Sequence, residues 1–169
     1  MVDMVDVFPY ISQLPPELAS ALLAALPITE LRAALPIALT IFDLDPVTAY
    51  FATVLGNLIP LVVIFALLPS IIRYAEAHSP WLKRILDRYF RKLAKKHKEK
   101  FQRYGTFALV LFVMIPLPGS GVWTGSVLAI LFGVRRDHAI PAIIVGLLAA
   151  GGLVMLITEG TIGTLSFLV

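Results

Sequence analysis

Apolar positions fall into two blocks, from about Glu17 to Ile72 and from Gly105 to about Thr158, separated by a strongly polar stretch. Each block opens with an apolar run that is interrupted and then resumes. In the first, Leu18–Leu26 is apolar, Pro27-Ile-Thr-Glu-Leu-Arg32 interrupts, and Ala33–Phe42 resumes. In the second, Thr106–Ile115 gives way to Pro116-Leu-Pro-Gly-Ser-Gly-Val-Trp-Thr-Gly125, and Ser126–Gly133 resumes. Each flank holds about 8–10 residues, half of what a bilayer-crossing helix requires. A polar turn and an unbroken apolar run follow each broken unit. Those runs, Val47–Ile72 and Ala139–Ile157, are each long enough to cross.

The two blocks align at an offset of 90, pairing Phe42 with Phe132, Ala49 with Ala139 and Gly56 with Gly146. With one residue of slippage Pro27 pairs with Pro118. The shared order of broken unit, turn and span is the stronger sign of a repeat. Repeats of this kind mark transporter architectures whose binding site lies at the repeat interface near mid-membrane. Composition agrees with a membrane location: of 169 residues, 59% are hydrophobic and 15% charged. A soluble domain runs nearer 45–50% and about 25%. A disordered chain and an ordinary cytosolic enzyme are thereby disfavoured. The chain has no cysteine, so disulfides, thiolate metal sites and cysteine nucleophiles are excluded. Asp3 and Asp6, with no early Lys or Arg, are the opposite of a secretory leader's basic start.

The net charge of +3 conceals an asymmetry. Arg73 to Arg103 holds 11 of the 14 basic and 3 of the 11 acidic residues, a net of +8 against −5 for the remainder. The positive-inside rule places that segment in the cytoplasm. Within it Trp81, Ile85, Tyr89 and Leu93 recur at helical spacing beside Leu82, Leu86 and Phe90. Lys83, Arg84, Arg88, Arg91, Lys92 and Lys95 fill the other faces. Ser79-Pro80 supplies an N-cap and an N1 proline, so the pattern predicts an amphipathic helix lying on the anionic inner leaflet. The run Lys95-Lys-His-Lys-Glu-Lys100 raises nucleic acid as a partner, but a basic stretch between two membrane halves reads as a lipid-facing linker, with no nucleic acid. Topology follows from charge. If each broken unit is a re-entrant hairpin, the basic linker shares the cytoplasmic side with Arg135 and Arg136, and both termini lie outside with Asp43 and Asp45. If each unit crosses instead, the linker and the Arg135-Arg136 turn lie on opposite sides. The first arrangement leaves Arg32 alone away from the cytoplasm.

The expected fold is therefore an all-α integral membrane protein of the cell inner membrane, a single multi-pass domain with two inverted repeats. Each repeat (17–72 and 105–158) is a re-entrant helical hairpin plus one transmembrane helix, joined by a basic amphipathic helix within 73–104. Two spans and two hairpins enclose little volume, so a homo-oligomer, such as a dimer, is expected.

Backbone at a hairpin tip in the membrane cannot face hydrocarbon, because each unsatisfied group costs several kcal/mol. The first tip carries Glu30 and Arg32, and intramembrane charges are by default functional. The competing reading is an ion pair that pins the tip; residues i and i+2 do not face each other on a helix, so a direct pair demands irregular backbone. The second tip, with Gly119, Ser120, Gly121, Trp123 and Thr124, opens a half-helix whose amides and dipole favour an anion. The plainer alternative is close packing by small residues. Asn57, in Leu55-Gly-Asn-Leu-Ile-Pro60, is the polar residue of the first span and reads as a cross-helix clamp or a ligand contact. His78, His97 and His138 lie in polar turns or the linker; no metal site, cofactor or catalytic constellation is evident, so no enzyme is expected.

Leu26-Pro-Ile-Thr-Glu-Leu-Arg-Ala-Ala-Leu-Pro36, Leu55-Gly-Asn-Leu-Ile-Pro60 and Ile115-Pro-Leu-Pro-Gly-Ser-Gly-Val-Trp-Thr-Gly125 resemble the prokaryotic family labelled small multidrug export protein. The likeness covers about Leu14 to Ile157. The paired hairpins are also similar in architecture to the DedA (VTT-domain) superfamily, which implies movement of polyprenyl-phosphate carriers or phospholipids between leaflets. Three functions are weighed. One is a transporter or flippase for an amphipathic anionic substrate, with Arg32 on the anion and Glu30 coupling a proton. Another is an exporter of cationic or neutral drugs, with Glu30 as counter-ion and Trp123 as an aromatic surface. The last is a non-transporting membrane scaffold.

Overall fold

The computed structural model describes residues 14–115 and 119–168, with backbone only at 96, 98–104 and 162–168. Asp3, Asp6 and Pro116-Leu-Pro118 of the second tip lie outside the described residues, as do the side chains of Lys96, Lys98 and Lys100. Seven helices and no strand occur among the described residues. They are α1 (Pro16–Ala25), α2 (Glu30–Thr40), α3 (Pro46–His78), α4 (Pro80–Tyr104), α5 (Phe107–Met114), α6 (Val122–Leu131) and α7 (Arg136–Leu168). The regular structure of the described residues is thus all helical. α3 and the 26 residues Arg136–Thr161 of α7 are long and apolar enough to cross a bilayer. Along α3, Val47, Phe51, Leu55 and Ile59 form an exposed apolar stripe at i, i+4, i+8 and i+12. A stripe that long is suited to lipid and poorly suited to water.

Packing divides the chain into two compact units. The first takes in the chain through Ile59 together with the part from Ala149 onward, and the second is Pro60–Leu148. In the first, α1 and α2 form a helical hairpin. At 10 and 11 residues they are roughly 15–17 Å long at 1.5 Å per residue, about half a hydrocarbon core. Ala19, Leu23 and Ala24 of α1 meet Ala34 of α2 in a buried cluster flanked by Leu14, Ile37 and Phe42. Small side chains bring the hairpin against α3: a Cβ on Gly56 would fall on the Ala21 backbone. In the second unit α5 packs on α6, and α4 on both. Gly146 of α7 sits against α5, where a Cβ would stand 2.8 Å from the Val110 carbonyl oxygen.

Burial recurs with the sequence offset. Ala49, Thr53, Asn57, Leu61 and Ile64 are buried, and so are Ala139, Ile143, Leu147, Gly151 and Val154, ninety positions on. The turns after α2 and α6 match as well, because Asp43 (φ 53°) and Gly133 (φ 64°) both take left-handed backbone. At these turns the Leu44 N–H donates to the Ala38 carbonyl and the Val134 N–H to the Ala129 carbonyl, the αL ending common at helix C-termini.

Element boundaries depart from the sequence reading at several points; the second span, read as Ala139–Ile157, is helical from Arg136 to Leu168. Residues 73–78 of the basic segment continue α3, and the separate amphipathic helix begins only at Pro80. The break is the expected cap, with the Leu82 N–H donating to Ser79 Oγ at 3.3 Å. α2 starts at Glu30 instead of after Arg32, and α6 at Val122 instead of Ser126. Charged and glycine-rich residues that read as interruption are first-turn residues, where a carboxylate suits the helix dipole.

Candidate functional site

In the first unit the chain leaves α1 through Leu26 in extended conformation and turns through Pro27-Ile28-Thr29. Thr29 is buried, and its hydroxyl donates to the Leu23 carbonyl, tying the turn to α1. The Glu30 N–H donates to the Leu26 carbonyl at 3.0 Å. Glu30 itself has φ 45°, a left-handed conformation that non-glycine residues adopt at a cost. That kink supplies the irregular backbone an i, i+2 pair demands. Arg32 Nη1 donates to Glu30 Oε2 at 2.5 Å, with side chains 18% and 10% exposed. Between them Leu31 points inward, 2% exposed. A Cβ on Gly151 would stand 3.5 Å from Leu31 Cδ1 and 2.7 Å from Tyr50 Cε2. Gly151 lies well inside the apolar span Arg136–Thr161, so the start of α2 packs through Leu31 against the interior of a bilayer-length helix.

Asn57 is 2% exposed, and its Oδ1 has no hydrogen-bond partner among the described residues. The clamp reading calls for such a partner; a buried orphan acceptor costs about 1–3 kcal/mol. Four residues earlier, Thr53 Oγ1 satisfies itself on the Ala49 carbonyl at 2.8 Å. Asn57 shares the compact unit with Glu30 and Arg32.

The second tip is described from Gly119 onward and lies in the other unit. Gly119 has φ 77°, which glycine alone adopts freely. The Ser120 hydroxyl donates to the Ile115 carbonyl at 2.8 Å, so it closes its own loop. Gly121 is buried in extended conformation and caps α6, whose first turn carries half-buried Trp123 and Thr124. Gly125 lets α6 approach α5, since a Cβ there would lie 2.8 Å from Val113 Cγ2. That is close packing by a small residue within this one hairpin. Ser126, one turn on, is fully buried with an Oγ that has no partner among the described residues. It was not among the sequence candidates; its signal is a lone hydroxyl within an apolar run. No group of His, Cys, Asp and Glu among the described residues can hold a metal ion.

Residues 30–153 match the model of a family described as "Putative small multi-drug export protein". The match opens on Glu30 and takes in Arg32, Asn57 and the whole second tip. Searches of curated proteins and of solved structures give no match. The likeness to the DedA group therefore rests on architecture read from the sequence. The matched segment covers well over half of the chain, which belongs to the small multi-drug export family and, with its two bilayer-length apolar helices, is a membrane protein.

Proposed function

We propose that the protein is a membrane transporter that moves an amphipathic substrate with an anionic, phosphate-like head, exchanging that head for the Glu30–Arg32 pair. The observation that carries this reading is the direct, largely buried ion pair at the start of α2, where Leu31 between the two charges packs against Gly151 of α7. An intramembrane pair is costly to bury and offers a switch: an anion that takes Arg32 releases Glu30, which then accepts a proton. Half-helix amides at the start of α6 are a second place for negative charge. Transport by reconstituted protein under an imposed pH gradient tests the scheme. Arg32→Ala is expected to abolish movement of an anionic lipid probe, and Glu30→Gln to abolish dependence on the gradient. Wild-type transport in Arg32→Ala would remove the anion site.

The family description favours a second reading, export of cationic or neutral drugs. There Glu30 becomes the counter-ion and Trp123 the aromatic surface, and Glu30→Gln abolishes transport while Arg32→Ala spares it. The two readings thus predict opposite mutant phenotypes.

In either case the chain is read as multi-pass in the inner membrane, with α1–α2 and α5–α6 as re-entrant hairpins of two inverted repeats. The recurrence of burial at an offset of 90 and the half-bilayer helix lengths support this. A homo-oligomer follows from the small volume two spans enclose.

A further inference from the structure

The sequence groups Trp81, Ile85 and Tyr89 with Leu82, Leu86 and Phe90 as one apolar side of α4. The structure separates them. Leu82, Leu86 and Phe90 are half-buried, on the side where α4 meets α5 and α6. His97 continues that side, edge-on to the Phe112 ring at 4.9 Å. Trp81, Ile85 and Tyr89, one turn apart, are 69%, 45% and 54% exposed. They make a second apolar stripe that no part of the described chain covers. By the 3.6-residue turn, exposed Arg84, Arg88, Lys92 and Lys95 border or continue that stripe.

We infer that this stripe seats α4 in the headgroup layer of an anionic membrane, Trp81 and Tyr89 at the interface and the four cations on lipid phosphates. Water is a poor occupant, because three large apolar side chains in a row favour burial. A second copy of the same face is a poor occupant too, since it would bring four cations against four. An anionic headgroup layer satisfies both halves at once: acyl-chain boundary for the stripe, negative charge for its border.

The absence of cysteine makes the test direct. Full-length Ile85→Cys, Tyr89→Cys and Lys83→Cys are spin-labelled and reconstituted in phosphatidylcholine vesicles with and without phosphatidylglycerol. Labels at 85 and 89 are expected to collide with oxygen more than with a water-soluble nickel chelate. The label at 83, on the opposite side of the helix, is expected to show the reverse. Phosphatidylglycerol should deepen 85 and 89, and adding Arg88→Gln should weaken that docking roughly fivefold. Nickel accessibility at 85 and 89 equal to that at 83 in both lipids would overturn the inference. So would dipolar broadening between labels, which would assign the stripe to a second copy.

Discussion

The Glu30–Arg32 contact is two residues apart, a spacing that a regular helix points in divergent directions. It exists because Glu30 sits in left-handed backbone before α2 settles. The identities of both charged residues are legible in the sequence; their pairing is not, since φ is a tertiary outcome. A double-mutant cycle measures the coupling. Arg32→Met leaves the mostly buried Glu30 carboxyl unpaired and is expected to destabilise the protein by about 2–3 kcal/mol, somewhat below the loss for a fully buried pair. Glu30→Gln with Arg32→Met should recover most of that loss in thermal unfolding of the purified protein. Additive losses would show that the two side chains do not act together. Glycines give a sharper contrast. Gly56→Ala places a methyl on the Ala21 backbone, which cannot rotate away, so a loss of at least about 1–3 kcal/mol is expected. Gly152 has open space around it, and Gly152→Ala should be neutral or slightly stabilising by helix propensity. Equal effects at the two positions would deny the close approach of α1 to α3.

Among the elements, both long helices, the cap at Ser79 and the broken units were readable from periodicity and length. The starts of α2 and α6 were not. A pattern reading treats charge and glycine as loop, whereas Glu30 opens a helix and Gly121 caps one. The division of α4 into a packed and an open side was equally out of reach, because seven apolar residues at helical spacing look alike until a neighbour covers some of them. Ser126 is hidden for a related reason: only packing reveals that its hydroxyl finds no partner among the described residues. The turn Phe42-Asp-Leu-Asp45, by contrast, carries its own chemistry. Asp45 Oδ1 accepts the Thr48 N–H at 3.1 Å at the start of α3. Hydrogen bonds from Thr48 hold its carboxyl below the ordinary aspartate range. A depressed folded-state value means the cap stabilises α3 above the unfolded pKa of about 3.9 and is lost as pH falls through the lower folded value. Asp45→Asn keeps a capping oxygen without the charge, and its thermal stability should fall less between pH 7 and pH 3 than that of the wild type. Asp45→Ala should be less stable already at pH 7. A parallel acid response in all three would assign acid sensitivity elsewhere.

At the scale of the whole molecule, the order short helix, short helix, long helix occurs twice, and the buried positions recur ninety residues apart. What such a repeat does in a membrane depends on parity. A hairpin that returns to its side of entry plus one span makes an odd number of crossings, so the second half enters upside down relative to the first. If each hairpin instead crosses as a unit, the number is even and the halves run parallel. Charge separates these cases, because the acidic turn at Asp43 and Asp45, the basic α4 and the Arg135-Arg136 turn fall on different sides in each. With odd parity α4 and Arg136 share the cytoplasm and Leu44 lies outside; with even parity Leu44 and Arg136 share a side and α4 lies opposite. Single cysteines at 44, 84 and 136 in this cysteine-free chain can be reacted with a membrane-impermeant maleimide on intact and then permeabilised cells. Labelling of 44 in intact cells, with 84 and 136 reached only after permeabilisation, is the expected outcome. Position 136 grouping with 44 would make the broken units crossing elements. The Glu30–Arg32 pair would then sit part-way along a full traverse instead of at a tip, and an exchange of substrate for salt bridge at a dead-end loop would lose its geometric basis.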